Sequence, residues 1–187
     1  MGIANILTLV RIALIPVFVL AFYLLPDAWA RPATAGIFAL AAITDGLDGW
    51  LARRLKQTSA FGAFLDPVAD KLMVATALVL LVQSHPSAWF AVPAAVIIGR
   101  EIAVSALREW MAEIGSSASV AVSLVGKFKT ITQMLAVLLL LFGDPLTLSL
   151  TFRAGTVLLY ISATLTLWSM IVYLHAAWPR LTYKKPG

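Results

Sequence analysis

DGLDGWLARRLKQTSAFGAFLDPVADKL, residues 45–72, is the one polar stretch of an otherwise oily chain. It holds four aspartates, four cations and three of the chain's eleven glycines, and apolar runs flank it on both sides. Asp45 and Asp48 stand three apart, and Asp66 and Asp70 four apart, so each pair shares one face of a helix. Antiparallel neighbours joined by the short RLKQTSAFGA turn bring those faces together, with four carboxylates in one pocket at membrane depth. Four anions there repel one another and carry a desolvation cost. Protonation relieves it, and so does a divalent cation. Oxygen-only ligands suit a hard ion such as Mg²⁺ or Mn²⁺, and four carboxylates are enough to bridge two ions. Acids inside a membrane mark a functional site by default. The plainer alternative pairs them with Arg53, Arg54, Lys56 and Lys71 as solvated helix ends.

The rest of the composition supplies the membrane. Of 187 residues, 61% are hydrophobic and 12% charged, against about 45–50% and about 25% in soluble domains. With a mean hydropathy of +0.93, this is the composition of an integral membrane protein. There is no cysteine, which excludes a disulfide framework and a thiolate metal site. The formal charge of +5 is read as cationic loops on one side of a bilayer and not as a nucleic-acid surface. The N-terminal MGIANILTLVRIALIPVF has no small-residue cleavage site and leads into an apolar run of spanning length, so it is expected to be retained.

A spanning helix takes about 20 mostly apolar residues. Six segments qualify: Ile6–Leu25, Pro32–Leu51, Phe64–Val82, Ala88–Met111, Ala118–Phe142 and Thr151–Leu174. The connections PDAWARP, QSHPS and FGDPL carry turn chemistry. The sequence therefore predicts an all-α membrane protein. One domain over residues 1–187 has six transmembrane helices and a polar cavity open to the cytoplasmic side. A cytoplasmic N-terminus collects Arg53, Arg54, Lys56, Lys127, Lys129, Arg180, Lys184 and Lys185 on that side. Only Arg31 and Arg153 remain near the opposite loops, as the positive-inside rule requires. Trp29, Trp50, Trp89, Trp110 and Trp178 lie near helix ends, as in an interfacial belt.

The polar stretch also carries a pattern, Asp-x2-Asp-Gly-x2-Ala-Arg-x8-Gly-x3-Asp-x3-Asp. Asp45, Asp48, Gly49, Ala52, Arg53, Gly62, Asp66 and Asp70 fit it with no departure in residue or spacing. In this the chain resembles the CDP-alcohol phosphotransferases. NILTLVRIALIPVF, FGAFLDPVADKLMV, REIAVSALREWMAE and GKFKT are similar to bacterial members acting on CDP-diacylglycerol and glycerol 3-phosphate, and together they extend over roughly the first 130 residues. The resemblance implies a six-helix homodimer of the bacterial inner membrane, with active site and both termini facing the cytoplasm. It implies Mg²⁺ or Mn²⁺, two ions, held by Asp45, Asp48 and Asp66, with Asp70 both touching metal and taking a proton. Gly49, Ala52 and Gly62 would line the cytidine site, and Arg53 would hold the diphosphate or brace the carboxylates. The implied reaction moves a phosphatidyl group from CDP-diacylglycerol to glycerol 3-phosphate and releases CMP. Inositol phosphate, serine or phosphatidylglycerol are rival acceptors for the same chemistry. A cation-binding transporter is the rival of another class, but it has no use for the motif's glycines and arginine.

A phosphorylated acceptor needs cations inside the cavity. Arg100 and Arg108 lie eight apart on one helix face, and Lys127 and Lys129 stand at the cytoplasmic part of the fifth helix. Arginine suits phosphate by its planar fork and lysine by point charge. Glu101 and Glu109 each adjoin an arginine, but i and i+1 positions do not face each other, so Glu101 is expected to pair, if at all, with Arg108. Asn5, Thr8 and Arg11 recur at three-residue steps and form one polar stripe. It is either a first turn that snorkels to the interface or a wall of the nucleotide or phosphate pocket, and the resemblance at NILTLVR favours the pocket. His85 and His175 have no acidic partner in sequence and are given no role.

Overall fold

The computed structural model describes residues 3–55, 60–113, 124–144 and 149–181. Asn5, Asp48, Gly49, Ala52, Arg53, Asp66, Arg108 and Lys127 fall in helices described by their backbone alone. All regular structure among the described residues is helical: α1 (Ile3–Leu24), α2 (Asp27–Leu55), α3 (Ala60–Ser84), α4 (Ala88–Glu113), α5 (Leu124–Phe142) and α6 (Leu150–Leu181). Each predicted apolar segment corresponds to one of them. Ile6–Leu24, Pro67–Ser84, Ala88–Met111 and Leu150–His175 are long and apolar enough to cross a membrane. The other two fall short for different reasons. α2, at 29 residues, has the length, but Asp45, Asp48, Arg53 and Arg54 dilute its apolar run. The apolar part of α5, Phe128–Phe142, is short, because Lys127 and Lys129 occupy its beginning.

Two connections are shorter than the sequence predicts. PDAWARP is mostly helix: the Pro26 carbonyl accepts from the Trp29 and Ala30 amides at 2.8 and 2.9 Å, and Asp27 sits in the first turn of α2. A carboxylate is favoured there by the helix dipole. Ala60–Ala63 likewise belong to α3, so part of the predicted RLKQTSAFGA turn is helix; residues 56–59 lie outside the described residues.

α1 packs on α2 and α3, α2 on α5, α3 on α4 and α5, and both α4 and α5 on α6. Phe18, Phe38, Leu78, Ile97, Val137, Leu140 and Leu159 fill the centre. The outer face is also apolar: Leu24, Ile43, Val79, Val92, Ile131, Leu150 and Trp168 are exposed. A bundle hydrophobic inside and out has lipid as its solvent. Trp29, Trp89 and Trp178 are exposed near helix ends, as an interfacial belt requires. At the bundle end away from Asp45, Arg31 pairs with Asp144 at 2.6 Å. His85 packs there between Phe90 and Phe152, ring centroids 5.2 and 5.1 Å away. Burial, with Arg31 adding to it against the Leu81 carbonyl contact, holds its pKa below the ordinary value, so it is a neutral packing element.

α5 and α6 approach most closely at glycine. A Cβ on Gly155 would stand 2.9 Å from Leu140 Cγ and 3.0 Å from its amide nitrogen, whereas one on Gly36 of α2 would meet nothing within 4 Å. Gly155→Val is therefore expected to cost about 1–3 kcal/mol through overpacking. Gly36→Ala should be neutral or slightly stabilising, because a mid-helix glycine is entropically costly. Thermal denaturation midpoints in detergent check both, and equal midpoints for the two variants would contradict this packing.

Candidate active site

Thr8 and Arg11, on one face of α1, point into the bundle, and both are buried. At these two positions the stripe does not snorkel. The reason is Asp45 on α2: Arg11 Nη1 lies 2.8 Å from Asp45 Oδ1, and the two side chains are 1% and 42% exposed. A long guanidinium drawn inward by a carboxylate is easier to keep buried than one facing lipid alone. Asp70, from the second half of the motif, is on α3. Asp45, Arg11, Glu101 and Lys71 all act on it electrostatically. A small gap lined by Arg11, Phe38, Ala41, Asp70, Met73 and Met134 joins the two regions. α1, α2 and α3 thus bring Asp45 and Asp70 around one arginine, although 25 positions separate them in sequence. Asp48 and Asp66 lie on the same two helices, with side chains outside the described residues. Among the described residues no three acidic or histidine side chains form a metal-binding group.

A cavity of about 500 Å³ opens between α3, α4 and α5, and Asp70 is on its wall. Lys71, Glu101, Ser105, Lys129 and Gln133 share that wall. Its charges are cross-braced. Lys71 donates to Ser105. Glu101 Oε1 takes both Lys129 Nζ from α5 and Arg100 Nη1 at 3.0 Å. The Arg100–Glu101 bond corrects the expectation that adjacent positions stay apart. The arginine side chain is long enough to reach sideways, and the buried lysine fixes the glutamate where both cations meet it. Arg100 also donates to Ser169 Oγ of α6 at 2.8 Å and lies over the Tyr173 ring at 5.8 Å. It is turned toward α6 and is not part of the cavity wall.

Of the four cations expected at an acceptor phosphate, Lys129 is on the cavity wall and Arg100 stands behind it, joined through Glu101. The side chains of Arg108 and Lys127 lie outside the described residues. So do those of Asn5, Asp48, Ala52, Arg53 and Asp66, and the surroundings of Gly49. Gly62 is buried in α3. Sequence reasoning missed Glu101 as the hub, Lys71 as a cavity residue, and Gln133. The signals for them were weak: Lys71 follows Asp70, and Gln133 follows Lys129 by one turn.

This geometry places Asp70 and Lys129 on the wall of one cavity between apolar helices. The family model for CDP-alcohol phosphatidyltransferase matches residues 1–168, and the chain belongs to that family. It is 56% identical over 184 residues to the CDP-diacylglycerol–glycerol-3-phosphate 3-phosphatidyltransferase of Pseudomonas fluorescens, covering 97% of this chain and 92% of the relative. Proteins of the same name from Yersinia pestis (strain Pestoides F) and Pectobacterium atrosepticum are 59% and 58% identical, each with 94% of both chains covered.

The Glu101 hub makes its own prediction. Glu101→Gln leaves Arg100 and Lys129 without the carboxylate that they share. The expected cost is about 3 kcal/mol, the lower end for a broken buried pair, because Glu101 remains 22% exposed. Adding Lys129→Met should regain part of that loss. Thermal midpoints of the single and double variants check the coupling, and additive losses would show that the two side chains do not interact.

Proposed function

We propose that the chain catalyses the phosphatidylglycerophosphate synthase reaction, moving the phosphatidyl group of CDP-diacylglycerol to glycerol 3-phosphate with release of CMP. The observation that carries this reading is Asp70 on the wall of a cavity that also presents Lys129. A carboxylate to accept a proton and a cation to hold a phosphate are what this acceptor requires. The intact eight-position motif and the named relatives at 56–59% identity support the donor and the acceptor.

In this reading a hydroxyl of glycerol 3-phosphate attacks the β-phosphorus of CDP-diacylglycerol. The bond from that phosphorus to the oxygen of CMP breaks, CMP leaves with the electron pair, and Asp70 takes the hydroxyl proton. Asp45, Asp48, Asp66 and Asp70 would hold Mg²⁺ or Mn²⁺. The donor set fits, since it is hard carboxylate oxygen on two neighbouring helices. Such ions, when bound, neutralise charge on the diphosphate. Gly49, Ala52 and Gly62 line the cytidine side, and Arg53 holds the diphosphate. Asn5 and Thr8 complete that wall, supported by the burial of Thr8 beside Arg11. Lys129, Arg108 and Lys127 hold the acceptor phosphate, and Arg100 orients Lys129 through Glu101. α2 and α5 cross the membrane with the other four helices, their charged ends on the cytoplasmic side of the inner membrane. The protein works as a homodimer.

Four experiments bear on this reading. Excess chelator should abolish CMP release, and Mg²⁺ or Mn²⁺ should restore it. Asp70→Asn should abolish turnover while CDP-diacylglycerol binding is largely kept. Normal turnover by that variant would move the base elsewhere. Against a panel of glycerol 3-phosphate, inositol phosphate, serine and phosphatidylglycerol, glycerol 3-phosphate should be the acceptor used. Arg108→Ala or Lys127→Ala should raise its KM by thirty-fold or more, given about 2–5 kcal/mol for a lost buried charged contact. The KM for CDP-diacylglycerol should move little. Equal losses toward both substrates would return these cations to a structural role.

A further inference from the structure

Gln133 is a neutral polar side chain on the cavity wall. It is 6% exposed, and its Oε1 has no hydrogen-bond partner among the described residues. Burying an amide oxygen unpaired costs about 1–3 kcal/mol, and native structures seldom retain such a group without a use for it. The neighbouring cavity residues are satisfied differently: Lys129 by Glu101, and Lys71 by Ser105. Gln133 lies four residues beyond Lys129 on α5, so the two project from the same face one turn apart. It lines the same space as Asp70.

A three-carbon acceptor makes three demands on such a cavity. Its phosphate needs a cation, its attacking hydroxyl needs a base, and the middle hydroxyl, which does not react, needs a neutral group between the two. Gln133 is neutral and buried, its Oε1 has no partner among the described residues, and it shares a wall with both Lys129 and Asp70. We propose that Gln133 is the specificity-determining residue for the acceptor's non-reacting hydroxyl, accepting a hydrogen bond from it, so that the enzyme distinguishes polyol phosphates from simple alkanol phosphates. This rests on the acceptor being glycerol 3-phosphate. A site built to bond a substrate hydroxyl discriminates against the analogue lacking it, because the site's own polar group is then left unpaired.

The test compares glycerol 3-phosphate with 3-hydroxypropyl phosphate, which lacks only the middle hydroxyl, in CMP release by the purified full-length protein with CDP-diacylglycerol. The wild type should favour glycerol 3-phosphate in kcat/KM on the order of ten- to a hundred-fold, the range of one buried neutral hydrogen bond. In Gln133→Met, which keeps the volume and removes the amide, that ratio should fall to about one. A purely structural role for the amide predicts equal losses on both acceptors and an unaltered ratio. That outcome overturns the assignment. So does a wild type that uses both acceptors equally, and this measurement needs no variant to fold. A wild type that releases CMP with neither acceptor, but does so with serine or phosphatidylglycerol, overturns the proposed function and this inference with it.

Discussion

Arg11 of α1 meets Asp45 of α2 at 2.8 Å with its own side chain almost wholly removed from solvent, and this end of the bundle is arranged so that the buried charge stays paired. A guanidinium or carboxylate in low dielectric costs several kcal/mol unless an opposite charge is close. In a helix bundle, closeness is decided by which faces touch. α1 must therefore turn its Thr8–Arg11 face toward α2 and α3. Asp45 on α2 pairs with that cation, and Asp70 on α3 lines a small gap beside it. The same requirement recurs between α4 and α5, where Glu101 is shared by Arg100 and Lys129.

Charge pairing of this kind does more than hold helices in register. Each ion pair also leaves a reactive group facing a space. Asp45 keeps 42% of its side chain exposed although its partner is buried. Lys129 is held by Glu101 yet remains part of the wall of a 500 Å³ cavity. A phosphoryl-transfer site needs this combination, because its substrates are polyanions that must find cations already in place and not spend binding energy assembling them. The donor carries acyl chains, and a bundle whose outer face is apolar lets those chains stay in the bilayer while the headgroup enters the polar interior.

The apolar half of the bundle is organised by shape in place of charge. Phe18, Phe38, Leu78, Ile97 and Leu159 interlock at the centre, and glycine at position 155 lets α6 lie directly on Leu140 of α5. Lipid tails are as apolar as these side chains, so close packing is what holds helices together here. Arg31 and Asp144 close the far end.

Much of the architecture was legible before any coordinates. Apolar runs of about 20 residues are set by bilayer thickness; each of the six predicted segments falls on a helix, and four of those helices are long and apolar enough to cross a membrane. Helix limits near Asp27 and Ala60 were not legible, because a capping carbonyl and a short polar turn leave little mark on hydropathy. The spacings of three and four assigned Asp45 with Asp48, and Asp66 with Asp70, to one helix face each, whatever surrounds them. The partners of those residues could not be read in the same way. That Arg11 bonds Asp45, that Glu101 joins Arg100 to Lys129, that Arg100 turns to Ser169, and that Gln133 Oε1 has no partner among the described residues all depend on the azimuth of one helix against another. The chain by itself determined length, polarity and the face each residue occupies, which are local properties of a helix in a bilayer. Only the tertiary structure decided which faces meet, because that follows from packing and charge neutralisation between segments far apart in sequence.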